Sequence, residues 1–410
     1  MTTKDVNSPI RVGIVGAGMM GRIHSLAWAN VCNFYWPQHP RIIKLRLADA
    51  TLDLAKDGAE RLGWAEASGD WREVAGARDL DIVDVVVPNA LHRDVVIEAL
   101  SRGKHVFCEK PLSTDLSEAR EMYVAARNAR VAHQTGFVYR LFPAIALAKK
   151  IISDGQIGEV RYFRGQWLSD WATDPLAPHS WRFERKHAGA GVLADTGSHV
   201  IDLARYLIGG EVSRVLARFK TYITHRPIPP GLPGHGITER PVSAVEAKLG
   251  VVDTDDLTDL MLEFDSGVVG TICLARTYPG HNTDMAFEVV GSRGSVSFSW
   301  IYGNELRYFS MDDPESSRGP RTILIGKTHP NAEPFWGRGI AIGYTDAFLI
   351  QAHQFLNYIS DGQPGQVATF LDGLRVGEVI DAAITSGDSG KWVDVNHFDY
   401  SPAAVSSPAR

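Results

Sequence analysis

Three residues near the middle of the chain are spaced for proton chemistry. Asp195, His199 and Asp202 stand at i, i+4 and i+7 within Gly191-Val192-Leu193-Ala194-Asp195-Thr196-Gly197-Ser198-His199-Val200-Ile201-Asp202. On a helix that spacing gathers all three on one face. An imidazole beside carboxylates titrates near neutrality, which suits a base taking the proton of an alcohol while hydride leaves the carbon. The spacing equally suits an N-capping aspartate followed by a core histidine. It could also begin a metal site, but no HExxH and no third ligand in register accompany it, so no metal is expected. Upstream, Cys108-Glu109-Lys110-Pro111 closes an apolar run. An ammonium at a strand end can stabilise an alkoxide and ease loss of the hydroxyl proton; the plain alternative is a surface lysine. Asp195, His199 and Lys110 are therefore the candidate catalytic residues.

A hydride needs an acceptor, and the N-terminus offers a place for one. Gly16-Ala17-Gly18-Met19-Met20-Gly21 directly follows the apolar run Ile10–Val15 and opens a helical pattern. In that setting the first glycine permits a tight turn, the second lets backbone approach a pyrophosphate, and the third lets helix and strand pack closely. Gly16, Gly18, Met19, Met20 and Gly21 thus form a candidate dinucleotide cradle. Asp49 closes the second strand, where an acid accepts hydrogen bonds from ribose hydroxyls and repels a 2′-phosphate. No basic residue follows it, only Ala50 and Thr51, so NAD is expected over NADP. Pro88, Asn89, His92, Glu109 and Lys110 follow the third and fourth strands, at the strand ends where such sheets place ligands. Asn89 could serve equally as an N-cap.

These residues need a scaffold, and the sequence outlines one. Strands are expected at Arg11–Val15, Ile43–Ala48, Ile82–Val87, His105–Cys108 and Val131–Gln134, with helices at Gly21–Val31, Leu52–Leu62, Leu91–Ser101 and Leu116–Ala129. Such alternation with short connections means a parallel, doubly wound sheet, a Rossmann domain over residues 1–140. An aromatic insert, Cys32–Pro40, interrupts it and is expected to pack on a neighbouring domain or subunit. After Phe142 the rhythm changes. A helix (Pro143–Ser153) leads to Val160–Leu168, a Trp-rich loop, a helix near Gly197–Leu207 and then a succession of strands from Val212 to Ile325. Residues 141–400 therefore read as an α+β domain with a large, mostly antiparallel open sheet. Helices over about 345–390 are expected to return and brace the first domain. Thr224–Lys248 reads as a long loop, and the tail after Tyr400 as disordered. An open sheet has a second face to cover, so a homo-dimer or homo-tetramer through it is expected.

Composition narrows the class. The 410 residues are 44% hydrophobic and 22% charged, with a formal net charge of −6, which favours neither nucleic acid nor an anionic membrane. There is no apolar leader and no run long enough to span a bilayer. Cys32, Cys108 and Cys273 are far apart and odd in number, which suits a reduced cytoplasm better than a disulfide framework.

The loop preceding Asp195 carries Trp167, Asp170, Trp171, Trp181 and Arg182. Indole faces stack on sugar C–H surfaces while charged groups bind hydroxyls, so a carbohydrate is the expected ligand; interface packing is the alternative.

Taken together, Gly16–Gly21, Pro88-Asn89 through His92, Glu109-Lys110-Pro111, Gly136-Phe137-Val138-Tyr139-Arg140 and Gly191–His199 resemble the glucose–fructose oxidoreductase / inositol dehydrogenase / MocA family of sugar oxidoreductases. The resemblance runs over nearly the whole chain. It implies an N-terminal Rossmann domain and a C-terminal domain whose sheet carries the substrate and the oligomer contacts. It makes Lys110 the catalytic-site lysine, Asp195 the residue that binds the sugar hydroxyls and His199 the proton acceptor, with Tyr139, Trp171 and Arg182 also at the substrate. Val138 stands where many members carry Asn. Within the family, His24-Ser25-Leu26-Ala27, Phe34–Pro37, Asp170-Trp171, Ser180–Phe183 and His199–Leu207 resemble the levoglucosan dehydrogenases. That resemblance implies NAD-dependent oxidation of a pyranose, at C3, to a keto sugar. Inositol or a glycoside is the alternative substrate, and an NAD(H)-sensing regulator the non-enzymatic alternative.

Overall fold

The computed structural model describes residues 8–229 and 248–399. Most of the segment read as a Thr224–Lys248 loop, and the tail after Tyr400, lie outside the described residues. Near the N-terminus, strands and helices alternate: β1 (Ile10–Val15), α1 (Met19–Phe34), β2 (Ile42–Ala48), α2 (Leu52–Leu62), β3 (Glu66–Ser68), α3 (Arg72–Ala75), β4 (Ile82–Val85), α4 (His92–Ser101), β5 (His105–Cys108), α5 (Leu116–Ala129) and β6 (His133–Thr135). The strands form one parallel sheet in the order β3-β2-β1-β4-β5-β6. The order reverses at β1, which opens a crevice between the carboxyl ends of β1 and β4. β4 is buried along its whole length, as a strand covered on both faces must be. β3 adds a strand beyond the expected five: Glu66-Ala67-Ser68 is a three-residue edge strand with no apolar run to announce it.

Local chemistry sets the helix ends. The Thr51 hydroxyl caps α2 by accepting the Leu54 N–H, and Asp115 caps α5 by accepting from Ser117 and Glu118. Helix α1 has neither a side-chain cap nor an acid in its first turn, so its leading N–H groups remain free for a ligand. At its other end α1 runs into the aromatic insert. Phe34 meets Phe335 (ring centroids 5.6 Å apart), and Tyr35 stacks on His353 at 3.6 Å. The insert therefore packs on a distant part of the same chain.

The second half contains α6 (Pro143–Ser153), β7 (Val160–Leu168), α7 (Arg185–Ala188), α8 (Ser198–Ile208), β8 (Val212–Lys220), a small pair β9 (His225–Pro227) and β10 (Leu249–Val251), β11 (Leu257–Phe264), β12 (Val269–Ala275), β13 (Asp284–Gly291), β14 (Gly294–Ser299), β15 (Glu305–Ser310), β16 (Arg321–Leu324), α9 (Tyr344–Asp361), α10 (Phe370–Ser389) and β17 (Val393–Asp394). Nine strands pair in the order β16-β15-β14-β13-β7-β12-β11-β8-β17, antiparallel except β7 with β12. Alternation decides the faces. Along β11, Thr258, Leu260, Leu262 and Phe264 turn inward, while Met261 is half exposed. Helices α9 and α10 return to pack on α1 and α5. A single apolar cluster runs through both sheets, joining Trp28 and Phe137 to Phe163 and Phe355.

Candidate active site

A cavity of about 1190 Å³ opens at the carboxyl ends of β1 and β4 and extends to the wide sheet. One end fits the dinucleotide cradle. Gly16 has φ +112, and a Cβ there would lie 2.6 Å from the Val86 carbonyl oxygen. A Cβ on Gly21 would strike the Gly16 carbonyl, so that glycine holds helix and turn together rather than lining the cavity. Gly18 faces open space, where backbone can approach a phosphate. Met19 and Met20 line the same wall. Asp49 accepts the Ala17 N–H at 2.8 Å and the Ala50 N–H at 2.6 Å, which fixes its carboxylate beside the turn. Pro88, Asn89 and Glu109 also line the cavity. Asn89 does not cap α4, whose N-cap is Leu91. The residues present thus fit NAD.

His92 departs from the expectation that it touches the cofactor. Its ring is fully buried and absent from the cavity wall. Nδ1 lies 3.0 Å from the Pro111 oxygen and Nε2 3.0 Å from the Val87 oxygen, so the ring ties together the two strand-end segments that carry Asn89 and Lys110. A histidine at the first position of a helix packs against the sheet as readily as it faces the crevice, and here the nearby carbonyls decide.

At the other end, Lys110 Nζ donates to the Asp195 carbonyl at 2.7 Å and to its carboxylate at 3.2 Å. Arg182 Nε stands 3.6 Å from the other carboxylate oxygen, and the guanidinium lies over Trp181. Burial works to raise the Asp195 pKa, but Lys110 and Arg182 outweigh it and hold the carboxyl down at about 2. His199 lines the same cavity. Its ring stacks on Trp167 (5.6 Å) and meets Tyr139 edge-on (4.9 Å). Burial, then the Lys110 charge, pushes its pKa well below the usual histidine value, so the ring is neutral at physiological pH. Its Nδ1 has no hydrogen-bond partner among the described residues. A neutral imidazole, an ammonium and a carboxylate therefore share one wall, with Tyr139, Trp171 and Arg182 beside them.

Asp202 does not join them. Residues Leu193–Gly197 form a turn of π-helix before α8, which breaks the simple i, i+4, i+7 register. Asp202 faces instead into the core, where Arg140 Nε donates to it at 2.7 Å and Asp372 completes the cluster. The π-turn is held by Asp255, whose carboxylate accepts the Gly191 N–H at 2.5 Å and the Leu193 N–H at 2.9 Å. Arg276, paired with Asp256 at 2.8 Å, and Thr254 both donate to the Arg182 carbonyl.

Several site residues gave no local signal. Trp300 and Tyr344 enter the cavity from a strand end and from the start of α9. Asn282 lines it too; with its amide turned to match its surroundings, it donates to Asp170 at 2.8 Å. Behind Glu109 lies a buried row. His24 Nδ1 is 2.9 Å from Asp84, and Nε2 is 3.1 Å from Glu109. Burial opposes a charged ring, but the two carboxylates prevail and push the His24 pKa up to about 10. Asp84, a charged residue in the otherwise apolar Ile82-Val83-Asp84-Val85, was the available clue.

A doubly wound sheet with a glycine cradle, facing a Lys–Asp–His wall on an open antiparallel sheet, defines a nicotinamide-dependent oxidoreductase. The chain belongs to the GFO/IDH/MocA family: residues 10–137 match the oxidoreductase family with NAD-binding Rossmann fold, and residues 145–297 the GFO/IDH/MocA C-terminal domain. It is 39% identical over 388 residues to levoglucosan dehydrogenase of Pseudarthrobacter phenanthrenivorans, covering 94% of this chain and 98% of that protein. It is 32% identical over 289 residues to scyllo-inositol 2-dehydrogenase (NAD(+)) of Bacillus subtilis, covering 70% of this chain and 73% of that one. A levoglucosan dehydrogenase solved in complex with NADH superposes with a TM-score of 0.88 at 37% identity, covering 95% of this chain and all of that one. The same enzyme with NADH and levoglucosan gives 0.86.

Proposed function

We propose that the chain oxidises a secondary hydroxyl of a pyranose of the levoglucosan type, at C3, to the keto sugar. The observation that carries this reading is the Lys110–Asp195 contact beside a neutral His199. Bound NAD supplies a hydride acceptor. His199 takes the hydroxyl proton, which its unprotonated ring is ready to accept. Lys110 places its ammonium where negative charge grows on the sugar oxygen. Asp195, about a third open to the cavity (32%), accepts a hydrogen bond from a neighbouring hydroxyl and fixes the ring. Trp171 and Trp181 offer aromatic faces to its C–H surface. At the end of the cavity away from the glycine turn, the charges of Lys110, Arg182, Asp195 and Asp170 sum to zero, which suits an uncharged polyol.

The test is a panel of levoglucosan, myo- and scyllo-inositol, and simple glycosides, read by NADH formation. The highest kcat/KM is expected with levoglucosan. Preference for an inositol would replace the substrate assignment, and no turnover with any member would end the dehydrogenase reading. The reading extends to a homo-dimer or homo-tetramer that covers the outer face of the wide sheet, where Met261 and Val269 are about half exposed. A reduced, cytoplasmic setting is supported by three free cysteines. A monomeric mass in solution would overturn the assembly.

A further inference from the structure

The row behind Glu109 is unlike the rest of the nucleotide-binding sheet. His24 sits on the core side of α1, 1% exposed, with its ring packed against Phe107 (4.7 Å) and Phe348 (5.2 Å). Both ring nitrogens face carboxylate oxygens, Nδ1 at Asp84 and Nε2 at Glu109, so both are donors and the ring is an imidazolium. Asp84 is fully buried and takes a further hydrogen bond from Trp28 Nε1 at 2.7 Å. Glu109 reaches the cavity wall, where its second oxygen accepts the Lys110 N–H at 3.1 Å. Room for that carboxylate depends on Gly136, where a Cβ would lie 2.6 Å from Glu109 Oε1. Two carboxylates and one imidazolium leave a surplus of one negative charge. The neighbouring wall does not cancel it, because Lys110 and Arg182 are balanced by Asp195 and Asp170.

Nicotinamide is cationic when oxidised and neutral when reduced. Fixed charge beside it therefore distinguishes the two forms, and does so most strongly where water is excluded. We propose that Asp84, His24 and Glu109 form a charged row that makes the pocket hold NAD⁺ more tightly, relative to NADH, than a neutral wall would. Glu109 presents the charge; His24 is a positioning residue that fixes it, and Asp84 supplies the surplus. The proposal rests on the proposed function, in which bound NAD accepts hydride in the cavity that Glu109 and His199 both line.

The experiment titrates the full-length protein with NAD⁺ and with NADH in the absence of sugar, and compares the ratio of the two dissociation constants. Glu109→Gln should shift that ratio toward NADH by about tenfold, the effect of one partly screened charge at close range. Asp84→Asn should shift it the same way by a smaller factor, since its charge is set further back. A purely structural role would weaken both forms equally and leave the ratio alone. A ratio within twofold of wild type in Glu109→Gln overturns the proposal, as does a shift toward NAD⁺. If Asp84→Asn does not fold, the Glu109 variant decides alone. Because no sugar is present, loss of the substrate assignment would leave this result intact.

Discussion

Lys110 and Asp195, 85 residues apart, meet across the seam between the two sheets, ammonium to carbonyl at 2.7 Å and ammonium to carboxylate at 3.2 Å. One residue stands just past the end of a parallel strand; the other lies in a π-turn before α8. The contact ties the wall that fits the coenzyme to the wall proposed to take the sugar.

Removing the ammonium tests that tie. Lys110→Met should lower kcat by roughly 10²–10⁴-fold while NAD still binds. Steady-state kinetics beside a coenzyme titration separates the two effects. Turnover near wild type would take Lys110 out of the chemistry.

His199 has its pKa pushed well below the usual value by burial and by Lys110. As the proposed base, this ring is already deprotonated at neutrality, so kcat/KM for oxidation should be flat from about pH 7 upward and fall only in acid. In Lys110→Met the repelling charge is gone and Asp195 remains, so the acid limb should move to higher pH. An unmoved limb in that variant would mean another group is titrating.

His24 should make the fold sensitive to alkali. Its pKa is raised from 6.5 to about 10 in the folded chain, so its contribution is complete below pH 6.5 and fades as pH rises through about 10. The melting temperature should fall across that window. His24→Gln should be less stable at neutral pH and show a shallower alkaline decline. Equal slopes in the two proteins would place the alkaline loss elsewhere.

Asp255 touches neither ligand pocket nor solvent to any extent, yet it caps the turn that presents Asp195. Asp255→Asn puts an amide N–H against one of two backbone donors. A cost of about 1–3 kcal/mol in stability is expected, with a rise in the KM for sugar and little change in NAD affinity. Denaturant melts and kinetics on the same preparation check both parts. An unchanged sugar KM would show that Asp195 keeps its place without this cap.

Much of this site is legible in the sequence. The Gly16–Gly21 turn, Asp49 and Lys110 are set by short-range rules: a strand, a turn and a helix in fixed order put strand-end residues in the crevice. His92 and Asp202 show where such rules stop. Each has the right spacing, but spacing cannot say whether a side chain faces a cavity or the core. For His92 the deciding partners are the carbonyls of Val87 and Pro111; for Asp202 it is Arg140, 62 residues away. The π-turn was invisible for the same reason, because it depends on Asp255, supplied by a distant loop. Trp300 and Tyr344 had ordinary sequence surroundings and enter the site only through tertiary folding.

Tyr344 opens the helix that runs back along α1, and its ring helps close the cavity that Gly16 begins. The pocket is therefore sealed by an element that follows the glycine turn by more than 300 residues, since Tyr344 closes what Gly16 begins. A nascent chain carrying the glycine turn, the lysine and the imidazole would still lack a wall, and catalytic competence must await the helix that Tyr344 opens.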